Sequence, residues 1–578
     1  MKIKKKSLLA YLSSGLLLGQ LASTAMAMPP LPDPQSRPNV RLVPDEQSRP
    51  SVSPVPLPEF NPPQAPQFVL PPLAPPKKDL SSQVKVFVKK FILDGNKAIS
   101  DEELTKLTKE YEGRTITTGE LQELRHKMTL YYINKGYINS GVVIPDQDVK
   151  DNIITFKIVE GELTTIKIGD TKRLRKEYVN DRLRLSSGPP LNINELQERI
   201  QLLQQDAQIK RINAELQPGN KPGESILNVL VEENQPYQIA MVVDNHRSPS
   251  VGAERLSFEG FHQNLTGRGD KISYRAGATD GLNDYAVSYE IPLNALDTKL
   301  QVRYERSDSQ IIEEPFNLID IVSESRTFGI NVTHPFIKTP NEELIVGLGL
   351  DLRKSETFLE GQPFTFSNSG SENGETKVSV LRFSQQYTKR TLNQVIAARS
   401  VFSLGLDAFD ATTGNGEPDG QFFSWLGQFQ LARRIGTEGI QMILRADMQL
   451  SEDTLFSLEK FSVGGANSVR GFRENELVRD TGIATSIEFR IPVFKDQAGL
   501  TPFQLAPFID AGYSRNKGGN DTTTQSLLGA GVGLHWDPDP SFHAELYLAR
   551  GFTGTDDSNR AHDLQDDSIH FQMSYQLF

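Results

Sequence analysis

The chain has 578 residues, a formal charge of −11 and no cysteine, and its mean hydropathy is −0.40. This acidic balance argues against nucleic-acid binding, which needs a basic face to neutralise phosphates, and the missing cysteines remove disulfides and thiolate metal sites. Beyond the N-terminus no apolar run reaches the roughly 18 residues of a spanning helix, so the composition does not suit a helical membrane bundle.

Taken in chain order, the first segment has the pattern of an export signal. Lys2, Lys4, Lys5 and Lys6 form a positive start, Leu8 to Leu21 is mostly apolar, and Ala25-Met26-Ala27 is a small-x-small cleavage site. Residues 1–27 are therefore expected to be a signal peptide. Residues 28–80 hold about half of the 35 prolines. Proline lacks an N–H donor and fixes φ, so this stretch is expected to be an extended linker. Within it, Pro32-Asp-Pro-Gln-Ser-Arg-Pro38 is echoed by Pro44-Asp-Glu-Gln-Ser-Arg-Pro50.

Residues 81–161 change to mixed punctuation. Val84 to Leu93 is strand-like, and Ser100 with Glu103 marks a capping box that opens a short helix. Thr118 with Leu121 opens a longer helix that stops at Gly136. Strands Gly141–Ile144 and Ile153–Val159 follow. Residues 162–235 repeat the order with a strand at Leu163–Ile168, helices near Arg175–Leu185 and after Asn192, and strands near Ile209–Leu216 and Ile226–Val231. Two copies of a small β-α-α-β-β module are expected.

From residue 236 to 578 the period becomes two. Leu344, Val346, Leu348, Leu350 and Leu352 alternate with Ile345, Gly347, Gly349 and Asp351, and Leu528, Ala530, Val532, Leu534 and Trp536 alternate with Gly529, Gly531, Gly533 and His535. Alternation fits a soluble sandwich with a polar exterior or a membrane barrel with a polar lumen. Loop lengths favour the barrel. About sixteen segments of 9–12 residues, long enough to span a bilayer when tilted, are joined by alternately short and long connections. Asn264–Gly269, Pro292–Leu296, Arg434–Gly439 and Asp537–Ser541 are short; Asp308–Ser323, Arg353–Glu375, Asp407–Gly420, Asn516–Thr524 and Gly551–Asp567 are long and polar. The polar segment Phe461–Leu477 then lies between strands eleven and twelve, in the sixth long loop.

Several motifs resemble one family. They are Gly136-Tyr-Ile-Asn-Ser-Gly-Val-Val-Ile-Pro145-Asp-Gln147 with Ile158-Val-Glu160-Gly161, the turn Asn264-Leu-Thr-Gly-Arg-Gly-Asp270, the set Gly464-Gly465, Val469-Arg470-Gly471-Phe472, Gly482 and Glu488-Phe-Arg490, and Phe508-Ile-Asp510-Ala-Gly512. In this order, over roughly residues 84–578, they resemble the outer-membrane transporters of two-partner secretion, which carry polypeptide-transport-associated (POTRA) domains before a barrel. The fold class implied is mainly β: a 16-stranded transmembrane antiparallel barrel after two POTRA modules. Two features depart from the family. The proline-rich 28–80 shows no plug helix, and terminal Phe578 has the opposite parity to Ile569, Phe571, Met573, Tyr575 and Leu577.

The resemblance implies that loop six folds back into the lumen and that Arg470, within Val469-Arg470-Gly471-Phe472, meets Asp510, flanked on its face by Phe508 and Gly512. The bland alternative is an arginine in an exposed loop. The basic run with Lys172, Arg173, Arg175, Lys176, Arg182 and Arg184 reads either as a client-binding face or as a solvated helix face, and module edge strands suit β-augmentation by an extended client. Arg268-Gly269-Asp270 sits in a short turn, where its glycines supply tight geometry and surface recognition is not expected. No Walker, HExxH or GxSxG sequence occurs, and eight histidines without cysteine give no metal spacing, so no cofactor and no enzyme activity are expected. The resemblance implies export of an unfolded exoprotein from periplasm to surface, drawn by folding outside. The expected partners are that exoprotein, outer-membrane lipid and the barrel-assembly machinery, with no nucleic acid, and a monomer is expected. An assembly factor inserting other barrels is the alternative, and a porin and an adhesin are weaker ones.

Overall fold

The structure is a computed structural model that describes residues 84–314, 316–365, 373–414, 416–436, 439–494, 502–518, 525–553 and 562–578. The expected signal peptide and linker lie outside the described residues.

In the first module, strand Lys90–Asp94 runs parallel to Ile153–Val159, whose other edge pairs antiparallel with Gly141–Val143. Helix Asp101–Thr108 starts at Ser100, whose Oγ accepts from the Glu103 amide at 3.3 Å. The full capping box belongs to the second helix, Thr118–Asn134, where Thr117 and Glu120 satisfy each other's backbone N–H groups. Of the box expected at Ser100 and Glu103, the structure makes the hydroxyl half. A short strand, Arg114–Thr117, also intervenes between the helices and pairs with Lys85–Val88. Leu104, Leu124, Met128, Tyr132 and Phe156 are fully buried and form the core. In the second module, strand Glu162–Ile168 pairs parallel with Glu224–Glu233, which pairs antiparallel with Ile209–Pro218. Helices Lys176–Arg184 and Ile193–Gln204 cover one face through Val179, Leu183, Leu196 and Ile200.

The remainder is a closed antiparallel barrel. Its sixteen strands are Tyr237–Asp244, Arg255–Gln263, Lys271–Ala278, Leu282–Pro292, Lys299–Gln310, Ile321–Lys338, Glu342–Leu359, Glu375–Arg390, Gln394–Leu406, Phe423–Ile435, Ile440–Ser451, Thr481–Phe494, Phe503–Arg515, Gln525–Asp539, Phe542–Gly551 and Ile569–Gln576, referred to below as strands 1 to 16. Strand 16 pairs with strand 1 from Gln572 opposite Asp244 to Gln576 opposite Ala240. That closure removes the free edges that lipid cannot solvate. Strands 6 and 7 reach 18 residues, longer than expected, and strands 1, 3 and 16 have only eight.

Burial is inverted relative to a sandwich. Leu528, Val532, Leu534 and Trp536 are exposed, and the lumen holds buried Asp244, Arg255, Asp351, Asp447, Asp510 and His535. A continuous apolar exterior around a charged interior is what a bilayer selects. Among the described residues, no helix is long and apolar enough to cross a membrane. The long and short connections sort to opposite ends with one exception: only Thr279–Gly281 joins strands 3 and 4. In the Asn264–Asp270 turn, Asp270 is buried and accepts from the Thr266 amide at 2.9 Å, the Thr266 hydroxyl at 2.8 Å and the Tyr289 hydroxyl at 3.1 Å. The Arg-Gly-Asp carboxylate is thus used up inside the turn.

Candidate functional site

The connection between strands 11 and 12 is loop six, and it enters the lumen. It carries a turn of 3-10 helix at Ser457–Glu459 and a small hairpin of Phe461–Val463 against Leu477–Arg479. Phe461, Val463, Val469, Phe472 and Leu477 are buried together with Ala484 and Leu527 of the wall. The loop therefore has its own apolar footing, although the lumen around it is charged.

At the hairpin tip, Arg470 is 3% exposed. Its Nε donates to Asp510 Oδ2 at 2.8 Å and its Nη2 to Asp510 Oδ1 at 2.9 Å, and its own amide N–H donates to Oδ2 at 3.0 Å. The side chain thus grips the carboxylate with two parallel bonds, a geometry that suits guanidinium and not ammonium. Its Nη1 donates to Glu488 Oε2 at 2.6 Å and its Nη2 to Ser486 Oγ at 3.0 Å. The guanidinium lies over the Phe508 ring, 3.5 Å from the centroid, with the Tyr547 ring at 4.6 Å.

The wall residues converge because of register. Asp510 faces Ser486 and Phe508 faces Glu488 across strands 12 and 13. Phe508, Asp510 and Gly512 share the lumen face, and Ile509 between them is 60% exposed on the other. Gly471 holds a φ of 100°, which a side chain rarely adopts. A Cβ on Gly512 would stand 2.4 Å from Val463 and 2.8 Å from Val469. Only a bare backbone there lets the hairpin rest on strand 13.

Three further anchors were not apparent in the sequence. Arg473, next to the motif, donates to both oxygens of Asp566 at 2.6 Å and to Glu313 at 2.5 Å. At the loop's base Glu459 is fully buried and accepts from Arg353 of strand 7 and Arg382 of strand 8. Glu488 had been visible only as part of a motif, not as a partner of Arg470. These pairs are 18 to 160 residues apart in sequence, so no local spacing announces them.

The basic residues of the second module divide. Arg182 is 8% exposed, its guanidinium lies 3.6 Å from the Tyr178 ring centroid, and it pairs with Asp297 in the turn between strands 4 and 5. Arg175 donates from its amide to the Gly267 carbonyl at 2.9 Å and from Nε to the Thr266 carbonyl at 3.0 Å. Both are therefore committed to the barrel's short turns in this state, a use the client-binding and solvated-face readings did not include. Arg173 remains exposed. Burial opposes ionisation of Asp297, but Lys338 and Arg182 outweigh it and hold the carboxyl below its ordinary range.

Residues 223–536 match the profile described as "Haemolysin secretion/activation protein ShlB/FhaC/HecB", and residues 86–161 match "POTRA domain, ShlB-type". Among curated proteins, the chain is 23% identical to the outer membrane transporter CdiB of Dickeya dadantii over 80% of this chain and 82% of that one. It is 21% identical to the heme/hemopexin transporter protein HuxB of Haemophilus influenzae over 82% and 84%. Among solved structures, CdiB from Escherichia coli superposes with a TM-score of 0.66 at 19% identity, over 87% of this chain and 93% of that one. BamA from Haemophilus ducreyi, lacking its POTRA domains 1–3, gives 0.53 at 14%, over 86% and 100%. With more than half of its length matched by one profile, the chain belongs to the ShlB/FhaC/HecB family of haemolysin secretion/activation proteins.

Proposed function

We propose that this protein sits in the outer membrane and moves an unfolded partner exoprotein from the periplasm to the cell surface. The observation that carries this reading is a closed barrel whose lumen is occupied by a long loop held on Arg470 and Asp510. A passive porin has no need of that loop or of the two modules below it. In this reading Val469, Arg470, Gly471 and Phe472 form the latch of the pore loop, and Phe508, Asp510 and Gly512 form its seat. Residues 1–27 are the signal peptide, 28–80 the linker, 81–161 and 162–235 the two POTRA domains, and 236–578 the barrel. The modules receive the client in the periplasm. Edge strands Gly141–Val143 and Ile209–Pro218 suit main-chain capture of an extended segment, and Arg173 is among the exposed basic residues that can meet it. The protein functions as a monomer, surrounded by outer-membrane lipid after insertion by the barrel-assembly machinery.

The alternative, an assembly factor for other barrels, is favoured by the fold likeness to BamA. One experiment separates the two. A strain lacking the chain is assayed for surface delivery of the large exoprotein encoded nearest to it and for the folded level of other outer-membrane barrels. Loss of the exoprotein with unchanged barrels supports transport; depleted barrels support assembly.

A further inference from the structure

Strands 14 and 15 meet at the short turn around Asp537–Ser541, and there they gather two histidines and a glutamate on the lumen face. His535 stands opposite Glu545 in the ladder, and His543 precedes Glu545 by two residues, hence on the same face. One ligand atom from each of His535, His543 and Glu545 lies within 4.8 Å of the others. His535 Nδ1 is 3.6 Å from Glu545 Oε2, and His543 Nε2 is 3.8 Å from the same oxygen. Both separations are too long for hydrogen bonds. They are close to the edge of a tetrahedron built on metal–ligand bonds of about 2.0–2.1 Å, which is roughly 3.4 Å.

Second observations point to a ligand. His535 has a side chain 2% exposed, and its Nδ1 has no hydrogen-bond partner. A buried polar nitrogen without a partner is costly, and this one is aimed at the cluster. The other nitrogens are already placed. His543 Nδ1 contacts Asp537 Oδ1 at 2.6 Å, so the Nδ1–H donates there and Nε2 presents its lone pair to the cluster. His535 Nε2 lies 3.2 Å from the Tyr547 hydroxyl, which itself lies 3.4 Å from Glu545 Oε2; with the hydroxyl donating to the carboxylate, Nε2–H donates to the hydroxyl and Nδ1 is left as the free base. A carboxylate or hydroxyl behind each imidazole is the usual outer support of a metal-binding histidine.

We propose that His535, His543 and Glu545 bind a divalent transition-metal ion of the zinc class at the periplasmic mouth of the barrel. Asp537 and Tyr547 act as positioning residues that fix the two imidazoles. Two nitrogen donors and one carboxylate favour zinc over calcium or magnesium, which take oxygen ligands. Three protein ligands leave the fourth position open, and it faces the lumen, where the His543 side chain is 40% exposed. An ion here ties strand 14 to strand 15 beside Tyr547, the ring that also lies against Arg470. The sequence hides the site because His535 and His543 are eight residues apart across a turn, a spacing that meets only through the ladder.

The test uses the full-length protein without a histidine tag, folded in detergent, and titrated with cobalt chloride and then zinc chloride. The expected result is a visible cobalt band that saturates near one equivalent and is removed by zinc. His543→Gln and Glu545→Gln each weaken cobalt binding by at least about 100-fold, and Asp537→Asn weakens it by about 10–100-fold, with the sheet circular dichroism retained. His562→Gln, in the connection between strands 15 and 16, leaves the titration unchanged. No saturable band, or a band that survives both ligand variants or disappears with His562→Gln, overturns the proposal. Zinc-edge X-ray absorption on the wild-type protein serves where a variant fails to fold. Two imidazoles in the shell support the site, and an oxygen-only shell overturns it.

Discussion

Arg470 reaches across the lumen from loop six to Asp510 on strand 13 and binds both of its carboxylate oxygens, at 2.8 and 2.9 Å. Asp510 has no exposed surface. A charge-assisted bond of this kind contributes about 1.5–3 kcal/mol, and removal of one partner costs more, because the other is left charged in a dry site. Arg470→Ala is expected to destabilise the loop-wall contact by about 3–5 kcal/mol. Denaturant unfolding in detergent, with protease sensitivity of loop six, measures it.

A charge swap is not a clean test of this pair. With Arg470→Asp and Asp510→Arg together, a new carboxylate at 470 faces Glu488, whose Oε2 now takes Nη1 at 2.6 Å. The swapped pair is expected to recover little stability. Adding Glu488→Gln is expected to recover more, and a triple-variant comparison of unfolding midpoints checks the order.

Gly512→Ala places a methyl group 2.4 Å from Val463 and 2.8 Å from Val469. Overpacking of this kind costs about 1–3 kcal/mol, and the loop is the softer partner. The variant is expected to keep a folded barrel but lift loop six from its seat. Single-channel recordings in planar bilayers then show more frequent or larger openings than the wild type.

The second module docks on the barrel through Arg182 and Asp297. The Asp297 carboxyl is held below its unfolded value, so its contribution is fully present above about pH 4 and is lost as pH falls through the lower folded value. Hydrogen exchange in helix Lys176–Arg184 is expected to be flat from neutral pH down to about 5 and to rise in more acid solution, after correction for intrinsic rates. Asp297→Asn is expected to show the raised exchange already at neutral pH.

The lipid face gives a check independent of the loop. Val532 is 42% exposed on strand 14. Val532→Arg is expected to cost about 2–4 kcal/mol if it lies at the bilayer mid-plane, read as a lower folded fraction in liposomes.

How much of this was legible depended on the distance over which residues interact. The barrel was legible because alternation is local: Leu528 to Trp536 announces its two faces within nine residues. Loop six was legible by counting, and its contact with Asp510 through the family's motifs. Arg473 and Glu459 were not, since their partners Glu313 and Arg353 lie 160 and 106 residues away. Arg182 looked like part of a basic face, and only the docking of one domain on another gives it Asp297. The Ser100 cap was legible and is made through the Glu103 amide, whereas the complete box of Thr117 and Glu120 on the second helix was not picked out.

The central claim is that the lumen, and not the lipid-facing wall, conducts a polypeptide. The direct measurement places a photo-activated cross-linker at Ser288, on the lumen face of strand 4, or at Tyr285, 50% exposed on its outer face. The exoprotein is halted in transit by a fused, stably folded domain. Transport through the lumen gives cross-links to the exoprotein from position 288 and none from 285, with the signal lost when the client is absent. Cross-links from 285 alone, or equally from both positions, would contradict it.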